Sequence, residues 1–438
     1  MNDHTSVLAM SILAVTLAGP TRAQDHTPGA RLAAQLPSIT GSLADFQLLS
    51  GSLAVAQDGQ IAFEASYGMA NYEDEVPNGP DTRFCIASVS KPMTALAVAR
   101  LVAEDQLALD ATVDTWIEGM PAGDRMTLRH LLGHEAGIPH RVTTVFEQNQ
   151  PFTAAMIVAR VKQRPLLFAP GTDSRYSTAG YSVIARIIEL VTGNDYDAAM
   201  RALVFEPFGM HSTRHVANDV ELPGRAECYQ RTLDGMARAM PQDLSFLVGG
   251  GSLYSTAGDL VRFGLGCLER KALPERSWSV FERDLGWDRG DALRWNGKTS
   301  QFGAYLDVHR DSNIVVAFAG NAGVGGGALL RDTIPKILTG EPLPQPVRFA
   351  KRPYTEANAG RFLGRYRRQD GIELEVTVAS GFLQTRGGGL FLPTADGAFF
   401  SPTYGCAVEF VGNSDGTVRA LRYLPVGLAP VVFRRVGE

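Results

Sequence analysis

"FCIASVSKPMTALAVARL" occupies residues 84–101 and sets a serine and a lysine three positions apart ahead of a long apolar run. The apolar residues recur at helical spacing, so the stretch predicts a helix that begins within it. Near a helix start, a spacing of three places Ser88 and Lys91 on one face within hydrogen-bond reach. A serine hydroxyl becomes a good nucleophile when a base takes its proton, and lysine can be that base because it can lose a proton of its own.

The presence of lysine at this position is informative in so arginine-rich a chain. There are 6 lysines against 35 arginines, and residues 88–91 form the only Ser-x-x-Lys. Backbone N–H groups at the helix start would also stabilise an oxyanion. The tetrapeptide alone also fits a structural interpretation, in which Ser88 caps a helix and Lys91 is solvated. Ser90 is expected to cap the helix or to pack, and Pro92 fits the first helical turn. Other motifs are therefore needed to decide between these interpretations.

The composition is that of an ordinary globular protein, with 45% apolar and 20% charged residues. A length of 438 residues predicts one large domain and a smaller one. The net charge of −5 gives no basic footprint, so no nucleic-acid partner is expected. The four scattered cysteines have no C-x-x-C spacing and indicate buried thiols, and neither a metal nor a cofactor is expected.

The N-terminus has the pattern of an export signal. Residues 7–19, VLAMSILAVTLAG, carry no charge, and the small residues Thr21 and Ala23 resemble a cleavage site. Residues 1–6 lack the usual lysine or arginine, which is the weak point of this interpretation. We predict a signal peptide over residues 1–23 and an exported protein, periplasmic or secreted. We expect no stable membrane span, because no other stretch approaches 18 uncharged apolar residues.

Beyond the signal, the pattern predicts two folded regions. Strand patterns mark residues 48–71 and 295–321, while helical spacing dominates residues 84–270. These segments predict one large α/β (α+β) domain over residues 35–340, whose sheet combines strands from both of its ends. Residues 341–354 are rich in proline and predict a linker. Short alternating runs over residues 355–438 predict a small all-β, barrel-like domain.

Several blocks between residues 45 and 340 resemble, in the expected order, the serine β-lactamase and penicillin-binding-protein superfamily, particularly its class C-like branch. The blocks are DTRFCIASVSKPMTALAVARL (81–101), MTLRHLLGHEAGIP (126–139), SRYSTAGYSVIARIIELVTG (174–193), FEPFGMHST (205–213) and GGGSLYSTAGDLVRFG (249–264). The resemblance implies helices packed on an antiparallel sheet, and a hydrolase acylated at Ser88. The C-terminal region resembles the lipocalin-like β domains that follow some of these hydrolases.

The second motif of this branch, Tyr-x-Asn, corresponds to Tyr176-Ser177-Thr178. The resemblance implies that Tyr176 lies beside Ser88 and Lys91 and shares their proton. A phenol has an ordinary pKa of about 10, so it needs the positive charge of lysine to act as a base. Thr178 departs from asparagine and keeps only a hydroxyl donor, which makes it a candidate substrate-binding residue. The alternative interpretation of Tyr176 is a core tyrosine at a helix start.

The third motif, usually Lys-Thr-Gly or His-x-Gly on a strand, aligns with Trp-Asn-Gly at residues 295–297. A Trp-x-Gly resembles the family VIII carboxylesterases and implies that Trp295 and Gly297 border the substrate. The N–H groups of Ser88 and Lys298 would then hold the oxyanion. Two alternatives stay open: the KTS that starts at Lys298 as a degenerate Lys-Thr-Gly, and Trp295 as an ordinary core residue.

Tryptophan in place of the usual cation favours a substrate with a neutral acyl or leaving group. We therefore predict a serine hydrolase that forms an acyl-enzyme on Ser88, most consistently a carboxylesterase for small esters. The alternatives are a D-aminopeptidase or D-alanyl peptidase-like amidohydrolase, a β-lactamase, and an inert binding protein on the same fold. Arg294 or Lys298 would return a charge to the pocket, which keeps amide and peptide substrates open.

Overall fold

The computed structural model describes most of the chain after the predicted signal peptide. The described residues are 27–45, 48–144, 147, 150–217, 220–232, 235–240, 242–270, 272–284, 290, 292–322, 327–343, 349–350, 352–379, 381–386, 389–401, 406–413, 416–424 and 429–437. The predicted signal peptide, residues 1–23, and part of the predicted linker, residues 341–354, lie outside them.

Helices occupy much of the middle of the described chain. They are α1 (Pro28–Asp45), α2 (Ser90–Ala103), α3 (Leu128–Leu132), α4 (Ala154–Lys162), α5 (Thr178–Thr192), α6 (Tyr196–Met200), α7 (Ala257–Glu269), α8 (Glu275–Ser279), α9 (Gly327–Thr339) and α10 (Glu356–Ala359). In α5, Ser177 Oγ accepts the N–H of Gly180 at 2.9 Å, and Gly193 ends the helix with a left-handed φ of 69°. The sequence therefore sets both ends of this helix through a cap and a glycine.

The strands fall into a group before residue 321 and a group after residue 363. The first group is β1 (Gly51–Gln57), β2 (Gln60–Tyr67), β3 (Met69–Asn71), β4 (Val76–Pro77), β5 (Phe84–Cys85), β6 (Arg214–His215), β7 (Tyr229–Thr232), β8 (Gly235–Arg238), β9 (Leu253–Ser255), β10 (Ala292–Lys298), β11 (Gly303–His309) and β12 (Ile314–Gly320). The second group is β13 (Gly364–Arg368), β14 (Glu373–Ala379), β15 (Phe382–Thr385), β16 (Leu390–Pro393), β17 (Phe399–Ser401), β18 (Cys406–Gly412), β19 (Val418–Leu424) and β20 (Val431–Arg435).

An antiparallel sheet of five strands, in the order β10-β11-β12-β1-β2, forms the centre of the large domain. The strand pattern at residues 48–71 forms a hairpin, in which Asp58 and Gly59 join β1 to β2 with φ values of 52° and 82°. Strands from the two ends of the domain pair through β1 and β12. The predicted fold class is thus confirmed, and β10 is left at one edge of the sheet.

The two faces of this sheet pack against different helices. Along β1, Ala54 and Ala56 belong to the buried cluster that includes residues of α2, α5 and α7. Leu53 and Val55 point the other way and pack with residues of α1 and α9. The alternation along one strand therefore supports helices on both sides of the sheet.

The C-terminal strands β13 to β20 close into a barrel of eight strands, which confirms the predicted all-β domain. Its interior holds a cluster of aromatic side chains, among them Phe362, Phe391 and Phe399. A cavity of about 700 Å³ is lined by residues of the barrel, including Leu374 and Phe433. On its outside, the barrel contributes to the same buried cluster as α1 and α9.

Candidate active site

Ser88 lies in a single turn of 3₁₀ helix, Ala87–Val89, that leads directly into α2. The turn is sharp because Ala87 has a φ of 45°, in the left-handed region that few non-glycine residues adopt. Ser90 stabilises it, since its Oγ donates to the carbonyl of Ala87 at 2.7 Å and accepts the N–H of Leu253 at 3.4 Å. Ser90 therefore has a structural role, and Ser88 remains the serine that borders the cavity.

Lys91 is buried directly behind Ser88, with 3% of its surface exposed. Its Nζ lies 2.6 Å from the carbonyl oxygen of Gly250, 3.3 Å from Ser88 Oγ and 3.3 Å from Thr178 Oγ1. Burial lowers the pKa of Lys91 from 10.5 to about 7, and the positive charge of Arg141 adds to this shift. A large share of the lysine is therefore neutral near neutral pH, the form in which an amine can accept a proton.

Tyr176 approaches Ser88 from the opposite side. Its hydroxyl donates to Ser88 Oγ at 2.7 Å, and Lys91 Nζ lies 4.6 Å from the centre of its ring. The ring is 48% exposed, while the hydroxyl points into the site. Burial raises the pKa of Tyr176 above its ordinary value, with an opposing contribution from the bond to Ser88. The phenol is thus held in its protonated form, with its hydroxyl on Ser88.

Thr178 is the first residue of α5 and is buried against the lysine. Its Oγ1 accepts a hydrogen bond from Lys91 Nζ at 3.3 Å. The structure therefore places Thr178 where it supports Lys91, a contact that the sequence analysis did not predict for this residue.

A glycine loop completes the surroundings of Lys91. The carbonyl of Gly250 is the nearest acceptor of the lysine, and a Cβ on Gly250 would lie 2.8 Å from Thr178 Cγ2. Gly249 has a φ of 80°, and a Cβ there would lie 2.2 Å from the carbonyl oxygen of Tyr181. The Gly-Gly-Gly run at 249–251 was visible in the sequence, but its contact with Lys91 depends on a fold that brings distant segments together.

Strand β10 runs against the turn that holds Ser88. A Cβ on Gly297 would lie 2.2 Å from the carbonyl oxygen of Ile86 and 2.7 Å from the backbone nitrogen of Ser88. Only glycine therefore permits this approach without displacement. Lys298 follows as the last residue of β10, and the KTS that it begins continues into the turn before β11. The alignment that places glycine at 297 is the one that fits this contact.

Trp295 and Arg294 point to opposite sides of β10. Trp295 is 8% exposed, packs with its ring centre 5.9 Å from that of Phe263, and borders the cavity. It is thus both a core residue and a wall of the site. Arg294 is exposed, with its Nε 4.0 Å from Asp307 Oδ2 on the adjacent strand. Its charge is therefore placed beside a carboxylate.

The side chains described above converge on a cavity of about 270 Å³. Its lining residues are Ser88, Lys91, Pro92, His134, Tyr176, Leu293, Arg294, Trp295 and Asn296. Sequence reasoning missed His134, which was considered only as a metal ligand. Within the described ranges, no group of three or more His, Cys, Asp or Glu side chains could hold a metal ion. The four cysteines are buried free thiols, as predicted.

A serine, a buried lysine and a tyrosine at a helix start beside an antiparallel sheet define a class of serine hydrolases. The chain belongs to the beta-lactamase family, whose sequence profile matches residues 38–337. This family of serine hydrolases includes esterases and amidases. Among the described residues, no helix is long and apolar enough to cross a membrane.

Three proteins illustrate the range of similarity. Penicillin-binding protein 4* of Bacillus subtilis (strain 168) is 26% identical over 89% of this chain and 96% of its own length. Esterase EstB of Burkholderia gladioli is 32% identical over 53% of this chain and 69% of its own. An octameric penicillin-binding protein homologue from Pyrococcus abyssi superposes with a TM-score of 0.61 at 20% identity, over 92% of this chain and 100% of that one. The last likeness concerns the fold, including its C-terminal domain.

Proposed function

We propose that this protein is a serine hydrolase that forms an acyl-enzyme on Ser88 and acts as a carboxylesterase on small esters. The observation that supports the chemistry best is the proton path from Tyr176 to Ser88 to Lys91, with separations of 2.7 and 3.3 Å. The opposite pKa shifts of the tyrosine and the lysine give the two groups different tasks. Two titratable groups with diverging pKa values are the usual basis for assigning an acid and a base.

In the first step, the neutral amine of Lys91 removes the proton of Ser88 as its Oγ forms a bond to the substrate carbonyl carbon. The carbonyl π electrons move to oxygen, which becomes an oxyanion. The N–H groups of Ser88 and Lys298 are the proposed donors to that oxyanion. The contact of Gly297 with the backbone nitrogen of Ser88 supports this pairing, because it brings the end of β10 to the same place.

The oxyanion then collapses, the bond to the leaving group breaks, and Tyr176 supplies the proton that the departing alkoxide needs. Lys91, now an ammonium, gives its proton to the Tyr176 oxygen, which restores the neutral amine and the phenol. In the second step water attacks the acyl carbon while Lys91 accepts its proton. The second oxyanion then collapses, the bond from the acyl carbon to Ser88 Oγ breaks, and Lys91 returns the proton to that oxygen as the acid product leaves. Each step moves one proton along the same path, so the site returns to its starting state.

Ester preference is inferred from the wall opposite Lys91. Trp295 borders the cavity where a lysine or histidine side chain would pair with a substrate carboxylate, and tryptophan offers an apolar ring instead. Arg294 also borders the cavity, and the carboxylate nearest to it, Asp307, is already paired through both oxygens with Arg331. The charge of Arg294 therefore keeps a substrate with a carboxylate open as an alternative. The likeness to an esterase at 32% identity supports an ester substrate.

A peptide or D-amino acid amide is the second candidate substrate, because of Arg141. This exposed arginine is close enough to Lys91 to lower its pKa, and it lines a small cavity together with Thr178. A substrate carboxylate would pair with the guanidinium of Arg141. The likeness to a penicillin-binding protein supports this candidate. A β-lactamase and an inert binding protein are the remaining alternatives.

The signal peptide over residues 1–23 and the boundaries at 340 and 355 remain proposals. We infer export, and N-terminal sequencing of the protein from the periplasm or medium tests the cleavage after residue 23.

Turnover of p-nitrophenyl butyrate, a D-alanyl anilide and a chromogenic cephalosporin tests the proposal. We expect the ester to be the best substrate by at least about tenfold in kcat/KM, and Ser88→Ala to lose at least about 1,000-fold. Ser38→Ala on α1 is the control, because it removes an exposed serine hydroxyl that does not line the cavity.

The comparison of substrates separates the candidate functions. If the anilide exceeds the ester, the peptidase is correct, and Arg141→Gln should then reduce anilide turnover more than ester turnover. If Ser88→Ala keeps full turnover, the acyl-enzyme mechanism is wrong. If no substrate is turned over and a fluorophosphonate does not label Ser88, the inert binding protein is correct.

A further inference from the structure

The loop at residues 134–140 contacts the catalytic tyrosine segment but has no part in the proposed proton path. Nδ1 of His134 accepts the backbone N–H of Ser177 at 3.2 Å. Nδ1 of His140 accepts the backbone N–H of Thr178 at 3.3 Å. Two histidine rings therefore bind two successive N–H groups at the start of α5, directly after Tyr176.

Main-chain bonds fix the same two histidines to the same segment. The carbonyl of His134 accepts the N–H of Arg175 at 2.9 Å, and the carbonyl of His140 accepts the N–H of Ala179 at 3.2 Å. Ser177 Oγ donates to the carbonyl of Pro139 at 3.1 Å. The segment from 175 to 179 is thus bonded to the loop on both sides of Ser177, so a displacement of the loop displaces Tyr176.

The hydrogen bonds also determine the state of both rings. A ring nitrogen that accepts a hydrogen bond from an N–H group cannot itself carry a proton, so each ring is neutral with its proton on Nε2. Burial, the charge of Lys91 and that of His140 lower the pKa of His134 to about 4. The pKa of His140 is also lowered, by burial and by Arg141 and Lys91. Both shifts agree with the acceptor role that the geometry requires.

The rings contact the tyrosine as well as its backbone. The centre of the His134 ring lies 4.6 Å from that of Tyr176, and the centre of the His140 ring lies 5.4 Å from it. The tyrosine ring is half exposed, so these contacts restrict a side chain that solvent would otherwise leave mobile. His134 packs also against Tyr181 at 5.3 Å, which anchors it to the buried part of α5.

We propose that His134 and His140 are positioning residues that hold the Tyr176 hydroxyl on Ser88 through their Nδ1 acceptors. Neither residue needs to touch the substrate for this role. This inference rests on the proposed function, since it concerns the proton donor of that reaction. A misplacement of about 1 Å at a reacting group can cost about 100-fold in rate, so loss of the acceptor should lower kcat rather than raise KM.

Replacing histidine by asparagine or by glutamine separates the loss of the Nδ1 hydrogen-bond acceptor from the loss of the imidazole ring. The Oδ1 of asparagine falls near the position of Nδ1, whereas the amide of glutamine reaches toward Nε2. Asparagine also tolerates the backbone of His134, whose φ is 63°. We expect His134→Gln to lower kcat for p-nitrophenyl butyrate by about 30-fold with KM within about threefold, and His134→Asn to stay within about threefold of wild type.

His140 gives a second, independent pair of variants, since it is exposed and its replacement does not disturb the core. We expect His140→Gln to lower kcat by about fivefold and His140→Asn to restore most of it. The exposed His211 provides the control, because His211→Gln and His211→Asn should both match wild type. Thermal unfolding of every variant separates a local effect from a loss of fold.

The rate at which a fluorophosphonate labels Ser88 makes the outcomes distinct. Wild-type labelling and turnover with equal kcat in the Gln and Asn variants of both histidines would overturn the positioning inference alone. Absence of labelling and turnover in the wild type would overturn the proposed function, and the inference with it. If His134→Gln fails to fold, the His140 pair decides.

Discussion

The cavity at Ser88 encloses about 270 Å³, whereas the cavity in the C-terminal barrel encloses about 700 Å³. The smaller one is bordered by a lysine whose pKa is lowered to about 7 and by a tyrosine whose hydroxyl contacts a serine. The larger one is bordered by aliphatic and aromatic side chains and by arginines such as Arg368 and Arg386, which pair with Asp370 and Glu375.

The difference shows that volume is a poor guide to chemistry in this molecule. Reactivity requires polar groups that converge from separate elements and whose pKa values are shifted from their ordinary range. At Ser88, a turn before α2, the start of α5 and the edge strand β10 supply those groups together. In the barrel cavity, by contrast, Arg368, Glu373, Glu375 and Arg386 each form an ion pair with an oppositely charged neighbour.

The largest expected effect tests the need for a base that can lose its proton. Lys91→Arg keeps the positive charge but removes the base, because arginine stays protonated in proteins. We expect kcat/KM for p-nitrophenyl butyrate to fall by about 1,000-fold or more. Lys162→Arg on α4 is the matched control and should match wild type. Retention of more than a tenth of the activity by Lys91→Arg would show that charge, not proton transfer, explains the difference between the cavities.

The next effect concerns the contact between β10 and the serine turn. In Gly297→Ala, the new methyl group would lie 2.2 Å from the carbonyl oxygen of Ile86, so the strand or the turn must move. We expect about a 100-fold loss of kcat/KM and a cost of about 1–3 kcal/mol in the free energy of unfolding. Gly79→Ala is the control, because a Cβ there meets nothing within 4 Å. Equal kinetics in both alanine variants would contradict the proposed oxyanion site.

A smaller effect follows from pH. The reactive form of Lys91 is the neutral amine, and its pKa is lowered to about 7, so kcat/KM should rise with pH and level off above about 7. The expected change is about tenfold per pH unit below that point. Arg141→Gln removes a positive neighbour, so it should shift the midpoint upward. A profile that is flat from pH 5 to 8 would exclude Lys91 as the base.

Sequence reasoning predicted the parts of this comparison that depend on local pattern. The spacing of Ser88 and Lys91 at a helix start and the strand patterns at residues 48–71 and 295–321 each follow from a short stretch of chain. It failed where a local signal pointed the other way. Helices α1 and α9 contain Pro37 and Pro335, residues that normally end a helix, and neither was predicted.

For the site, too, the sequence predicted residues that lie in short motifs but not the contacts between distant segments. A resemblance located Tyr176 and Trp295, but the bond from Lys91 to the carbonyl of Gly250 joins residues that lie far apart in the chain. The acceptor role of His134 depends on which ring nitrogen faces an N–H group, and no spacing in a sequence encodes that orientation. Contacts of this kind arise from the way that the loops at 134–140 and 249–251 meet the start of α5.

The smallest expected effect concerns the barrel. Leu374 lines the cavity there, and Leu374→Trp would fill part of its volume with a larger apolar side chain. We expect less than a twofold change in kcat/KM for p-nitrophenyl butyrate, because none of the residues that the structure describes lines both cavities. The matched insertion is Asn296→Trp, which narrows the cavity at Ser88 and should lower kcat/KM by about tenfold. If Leu374→Trp lowered turnover as much as Asn296→Trp, while its thermal unfolding matched wild type, the barrel would take part in handling the substrate. Both cavities would then contribute to turnover, and the barrel cavity could no longer be described as unreactive.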